Sequence, residues 1–198
     1  MKRLTTILLS IACCTMVLAS DHMMFRTLPI DGPLKSAVKQ VKKWGLMGMR
    51  IKNVAAFVGT LDEQEVLLIL MATPKTNTLF SVTVIYEGAE QWSEQLIHYH
   101  AINSAIADQY GEPTEEINFW EEPYSPDNNP LQAFIENKAK YGCVYKSDDG
   151  HVAVNISHAE GKLCTLVVYL DEQNSELFHA EGGGVSTFDE LVKDLEEE

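Results

Sequence analysis

Six histidines and four cysteines are the residues of this 198-residue chain with the most chemistry to offer. A metal site needs its ligands to converge on one point, and these histidines do not share a point. His98 and His100, two apart in a helical pattern, face roughly 200° away from each other. His151 and His158, seven apart in a strand pattern, fall on opposite faces of a sheet. His22 and His179 stand at the ends of patterned segments. The zinc-protease signature H-E-x-x-H is absent, and His158-Ala159-Glu160 and His179-Ala180-Glu181 repeat only its opening. The expectation is no metal and no cofactor.

Nucleophilic chemistry finds no frame either. No serine occupies a G-x-S-x-G elbow, and Gly184-Val185-Ser186 comes after a run of glycines instead of a strand. Phosphate binding needs a glycine-rich turn between a strand and a helix, which Gly182-Gly183-Gly184 after an acidic tail does not provide. The 29 acidic residues could supply a pair for glycoside hydrolysis, and nothing in their spacing selects one. The reading is a non-enzymatic protein, with a carboxylate-dependent hydrolase of envelope or dietary glycans as the alternative.

The chain opens with Lys2-Arg3, an apolar run over 4–18 and Val17-Leu18-Ala19 before Ser20, the anatomy of a secretory signal peptide over 1–19. Its apolar run of about 15 residues is short of the roughly 20 that span a bilayer, so no transmembrane helix is expected in the mature chain. Cys13 and Cys14 raise acylation as an alternative. Ser10 stands where a lipoprotein signal wants a branched apolar residue, which favours cleavage after Ala19. The protein is therefore placed in the periplasm or outside the cell. Two of the 15 basic residues leave with the signal and none of the 29 acidic ones does, so the net charge falls from −14 to −16. Such a surface repels phosphate backbones and argues against nucleic acid; it suits a basic protein partner.

The mature chain reads as one α+β domain over 20–181, with a glycine linker and an amphipathic helix over 182–198. Asp31-Gly32-Pro33 caps a first helix with Leu34, Ala37, Val38, Val41 and Trp44 at helical spacing, ended by Gly45. Lys35, Lys39, Lys42 and Lys43 line its other side, as a solvated face or a basic docking stripe. Strands are expected next over 54–60, 65–73 and 79–87. The second is apolar without alternation, as a central strand would be; the third alternates Phe80, Val82, Val84 and Tyr86 against Ser81 and Thr83, as a half-exposed one would. A second helix over 90–109 carries Trp92, Leu96, Tyr99, Ile102, Ile106 and Tyr110 and stops at Gly111. Three more strands are expected over 141–146, 151–158 and 163–171, joined by glycine-containing turns. After the linker, a capping box at Thr187-Phe188-Asp189-Glu190 leads a stripe of Phe188, Leu191, Val192 and Leu195.

Between the second helix and the later strands, residues 112–130 hold four prolines, six acids and the aromatics Phe119, Trp120 and Tyr124. A loop of that length in a compact domain is often functional. Phe119, Trp120 and Tyr124 are the candidate binding residues. The other reading has Phe119 and Trp120 folding back to plug the edge of the core.

Helix plus three-stranded antiparallel meander occurs twice in this order, which is open to an internal duplication; the strands over 78–87 and 162–171 share a pattern. The architecture expected is two-layer, with one sheet face open. The entry Leu28-Pro29-Ile30-Asp31-Gly32, the helix ending Gln109-Tyr110-Gly111-Glu112-Pro113 and the hairpin Gly150-His151-Val152-Ala153-Val154-Asn155-Ile156 resemble uncharacterised exported proteins of gut Bacteroidetes, a likeness that implies no activity. The element order is also similar to the beta-lactamase inhibitor protein fold, which implies an open sheet as a protein-binding, inhibitor-like surface. For Cys143 and Cys164, an exported compartment favours a disulfide. The expected hairpins pair Cys143 with Asn155 and Cys164 with Ile156, which places the sulfurs on opposite faces, two strands or about 10 Å apart. A bridge needs Cα atoms within about 7 Å, so the topology favours free thiols.

Overall fold

A computed structural model describes residues 22–159 and 161–184. The signal segment, Glu160 and the C-terminal stripe of Phe188, Leu191, Val192 and Leu195 lie outside the described residues. The chain starts with a small hairpin, β1 (Met24–Phe25) and β2 (Leu28–Pro29), and enters α1 (Leu34–Lys43). Four strands come next: β3 (Met47–Ile51), β4 (Val54–Leu61), β5 (Gln64–Ala72) and β6 (Leu79–Ala89). Helix α2 (Trp92–Tyr110) leads to β7 (Glu115–Trp120), the short α3 (Pro130–Ile135), β8 (Ala139–Ser147), β9 (Gly150–Ala159) and β10 (Lys162–Asp171), and α4 (Glu172–Ala180) closes the series.

The eight longer strands form one antiparallel sheet in the order β3-β4-β5-β6-β10-β9-β8-β7. This overturns the expected helix plus three-stranded meander: the protein is mostly β, 47% strand and 27% helix, and each half of the sheet contributes four strands. The two strands not foreseen, β3 and β7, are the outer edges. Both are short and mostly exposed, β3 alternating Met47, Met49 and Ile51 with Gly48 and Arg50 over five residues and β7 opening on Glu115-Glu116, so neither shows the long apolar run that marks an inner strand. The halves meet where β6 pairs with β10, Val84 opposite Val167.

Strand alternation assigns each residue a face. On one side Leu34, Ala37 and Val41 of α1, Tyr99, Ile102 and Ile106 of α2, and Ala133 and Phe134 of α3 pack on Phe57, Leu68, Leu70, Val82, Val84, Val154, Val167 and their neighbours in one continuous core. The N-terminal hairpin joins it: Met23, Phe25, Leu28 and Ile30 are all buried, with Phe25 against Tyr169 and Trp44 at ring-centroid distances of 5.1 and 5.9 Å. The ends of α1 differ from expectation at one side only. Pro33 is the N-cap residue itself and no side chain caps the helix, whereas Gly45 succeeds the last turn at φ +90°, a conformation open to glycine. The four lysines of α1 are exposed.

Strand β6 is central, not half-exposed: Ser81 and Thr83 are as buried as Val82 and Val84. Its pairing with β5 contains a bulge, since Met71 faces Ser81 and Ala72 faces Leu79, leaving Phe80 as the extra residue. Leu79 and Val82 on either side belong to the helix-side core and Phe80 does not; its ring stacks on Phe178 of α4 at 4.4 Å.

Candidate binding surface

The sheet face opposite α1, α2 and α3 has an unusual composition. Reading the register across the strands, one row runs Met49, Ala56, Ile69, Thr83, Val168, Ala153, Val144. The next runs Met47, Val58, Leu67, Ile85, Leu166, Asn155, Gly142, Ile117. An antiparallel sheet facing water on one side alternates apolar with polar residues. Here the set facing away from the helices is also largely apolar across β4, β5, β6 and β10, with Thr83 its one polar member in these two rows. In the middle Ile69, Ile85, Cys164 and Leu166 form a second buried cluster, with Val54, Leu67, Met71 and Ala159 packed around it. At the β3 margin the same rows lie in solvent: Met47 is 73% exposed, Met49 65% and Val58 54%. Acidic groups border the rows, with Glu65 and Glu87 exposed just past the paired residues Val66 and Tyr86.

The three aromatic candidates part company. The long loop expected over 112–130 contains β7, and alternation in that strand divides Phe119 from Trp120. Phe119 is 48% exposed, on the same face as the apolar rows. Trp120 turns to the helix side, edge-on to Trp92 at 5.1 Å and to Phe134 at 5.6 Å, with its Nε1–H donating to Asn118 Oδ1 at 3.0 Å. Tyr124 donates its hydroxyl to Glu136 Oε2 at 2.7 Å, bracing the turn against α3. Only Phe119 of the three belongs to the apolar face.

A polar cluster that sequence reading missed sits where β10 enters α4. Asp171 has no exposed surface and accepts from the backbone N–H of Met23 (2.8 Å), the backbone N–H of Asn174 (2.9 Å) and Nδ1 of His22 (3.1 Å to Oδ2). Asn174 Nδ2 donates to the Ile30 carbonyl at 2.9 Å and to Asp31 Oδ1 at 3.2 Å. A buried carboxylate needs such donors, and here they come from two separate chain segments, residues 22–23 and the first turn of α4. The result is a staple that fixes residues 22–31 to the end of β10. The visible signal was Asp171 three residues before Asn174, an N-cap spacing at the end of an apolar strand.

A second missed polar group is Gln95, which stands on the apolar stripe of α2. Fully buried, it donates to Thr165 Oγ1 at 2.7 Å and accepts from the Ala89 N–H at 3.1 Å, tying α2 to both central strands. Farther along α2, Tyr99 donates to Cys143 Sγ (3.5 Å), and Asn103 Oδ1 accepts from both Cys143 Sγ (3.0 Å) and the Tyr145 hydroxyl (2.8 Å). Burial and the thiol contact hold the Tyr99 phenol well above its ordinary pKa.

His98 and His100 are both exposed on α2, and His151 and His158 fall on opposite faces of β9. His151 Nδ1 lies 3.1 Å from Glu172 Oε2, outside hydrogen-bonding geometry. Among the described residues no group of three or more His, Cys, Asp or Glu could hold a metal ion, and no helix is long and apolar enough to cross a membrane. No protein-family model, curated protein or solved structure matches this chain.

Proposed function

We propose that this chain is an exported, non-enzymatic protein-binding module, inhibitor-like in using a sheet face, whose partner is a basic protein with an apolar contact patch. The observation that carries the reading is the pair of largely apolar rows across β3, β4, β5, β6 and β10, with Thr83 the one polar member, ending in Met47, Met49 and Val58 in solvent. Exposed apolar patches rimmed by polar groups mark interaction sites, and methionine suits a surface that repacks against a partner. The charge of −16 left by removal of the signal, with Glu65 and Glu87 beside the rows, supplies the long-range attraction to a basic surface.

The test is affinity capture from native envelope extract with three forms of the full chain: wild type, Met49→Asp/Val58→Asp, and Ile97→Asp. Ile97 is 69% exposed on α2, away from the sheet face, and serves as the control. A basic protein retained by the wild type and by Ile97→Asp, and lost with the double variant, supports the reading. Capture indifferent to Met49 and Val58 contradicts it.

A further inference from the structure

Both margins of the sheet are open. Among the described residues β3 pairs with β4 alone and β7 with β8 alone, and both strands are exposed except for the half-buried Ile51, Ile117 and Trp120. The outer flank of such a strand is a template for another strand. Neighbouring hydrogen bonds fix which backbone groups point outward. The Ala72 N–H donates to the Asn53 carbonyl at 2.8 Å, in register with the pairing of β4 and β5. Odd-numbered residues of β4 therefore turn their backbone groups to β5, and Val54, Ala56 and Val58 turn theirs to β3. Their partners Ile51, Met49 and Met47 point back at β4, which leaves the backbone groups of Gly48 and Arg50 facing outward. At the other margin the Glu121 N–H donates to the Lys138 carbonyl at 2.8 Å, in register with β7 and β8. Glu115, Ile117 and Phe119 thus point at β8, and Glu116, Asn118 and Trp120 outward.

We infer that copies of this chain join edge to edge, β3 of one against β7 of the next, with Arg50 opposite Glu116. Eight strands alternating in direction leave β3 and β7 antiparallel. A second copy laid alongside in the same orientation presents its β7 antiparallel to β3, with its helices on the same side of the sheet. Strand β3 has five residues and β7 six, so two antiparallel registers pair all of β3 within β7. Only the register that matches Gly48 with Asn118 and Arg50 with Glu116 brings outward-pointing groups together as hydrogen-bonded pairs. On the open face it sets Met47 opposite Phe119, Met49 opposite Ile117 and Ile51 opposite Glu115, and the first two pairs carry the apolar rows from one copy into the next. Arg50 and Glu116, both exposed, meet as opposite charges on the helix side. Pairing β3 with β3, or β7 with β7, instead sets two arginines or two glutamates diagonally on one face. The net negative charge of the chain opposes association at long range, but physiological salt screens it beyond about 8 Å and the edge contact is shorter than that. The contact is head-to-tail and leaves a free edge at each end, so it builds open chains.

The test uses the purified full chain with no second protein present, so it succeeds or fails apart from the proposed function. Cysteines introduced by Met49→Cys and Ile117→Cys would lie in a non-hydrogen-bonded pair, with Cα atoms about 4.5 Å apart and within disulfide reach. Under oxidation, mass spectrometry is expected to map a disulfide between positions 49 and 117 when the two single variants are mixed, and none at these positions in either alone. Links between two chains carrying the same cysteine place like edges together and overturn the inference, as does the absence of any link. Sedimentation velocity reads the association itself. Arg50→Glu and Glu116→Arg are each expected to weaken self-association about tenfold. An equimolar mixture of the two is expected to restore it, because each chain then offers the edge the other needs. A wild type that stays monomeric, variants that associate like the wild type, or a mixture no better than its parts overturn the inference as well.

Discussion

Cys143 and Cys164 are both buried, both unpaired with each other, and on opposite faces of one sheet. Cys143 lies opposite Val154 and Cys164 opposite Ser157, positions three apart on β9 and so on different sides. Each pairing differs by one residue from the register expected from the hairpin loops, and because both slip, the opposite-face conclusion is unaffected. Alkylation of the unfolded protein, then mass spectrometry, is expected to find Cys143 and Cys164 both modified without prior reduction. A mass showing an intact Cys143–Cys164 bond would refute the sheet order.

Cys164 also sets an alkaline limit on stability. Burial pushes its thiol up to about 12, and burial raises the Tyr169 phenol as well. A raised pKa in the folded state means the native protein binds the proton more tightly than the unfolded chain. Their contribution is complete below the unfolded-state value near 9 for the thiol and is lost as pH rises through the folded value. The thermal midpoint is expected to fall progressively from about pH 9 toward pH 12, and Cys164→Ser is expected to blunt the decline on its lower side. A flat midpoint over that range would contradict the burial of both groups.

Asp171 is expected to be the most sensitive polar position of the described chain. Removing its carboxylate in Asp171→Ala leaves the N–H groups of Met23 and Asn174 buried without acceptors, at about 1–3 kcal/mol each. Chemical denaturation should show a loss of roughly 2–5 kcal/mol, with Asp171→Asn milder because one carbonyl oxygen remains. A loss below 1 kcal/mol would mean that residues 22–31 are not held by this staple.

Gln95 and Thr165 should be energetically coupled. Gln95→Leu and Thr165→Val each orphan the other partner, whereas the double variant removes both, so a double-mutant cycle is expected to return a coupling of about 1 kcal/mol or more. Additive effects would show that α2 is not tied to β10 through this bond.

The aromatics of β7 and its neighbouring turn should separate into packing and surface roles. Trp120→Ala empties a site between Trp92 and Phe134 and is expected to cost about 3 kcal/mol. Phe119→Ala, on the exposed side of the same strand, should change stability by less than about 0.5 kcal/mol. Equal losses at both positions would place both rings in the core.

The legibility of each element in the sequence depends on where its signal resides. Helices α1 and α2 were legible because their burial is one-sided and their stops, Gly45 and Gly111, are local. The six inner strands were legible from runs such as 66–71. Strands β3 and β7 were not, because the alternation of Met47, Met49 and Ile51 with Gly48 and Arg50 spans only five residues and β7 opens on Glu115-Glu116, too little apolar pattern to mark a strand. Helix α4 was hidden by continuing from β10 without a loop, Asp171 serving as both last strand residue and helix cap. The union of the two halves through β6 and β10 joins residues about eighty apart, which no local pattern encodes. For that reason the sequence points to an open sheet face as a surface but not to two aligned rows on it. Of its candidate residues only Phe119 was named, and Met47, Met49 and Val58 became visible only with the register.

The most direct test of the binding-surface reading is site-specific photocrosslinking of the protein in intact cells. A benzophenone side chain at Val58 is compared with one at Ile97. A covalent adduct with a basic protein is predicted at Val58 and none at Ile97. No adduct at Val58, or the same adducts at both positions, would contradict the assignment of this face as the binding surface.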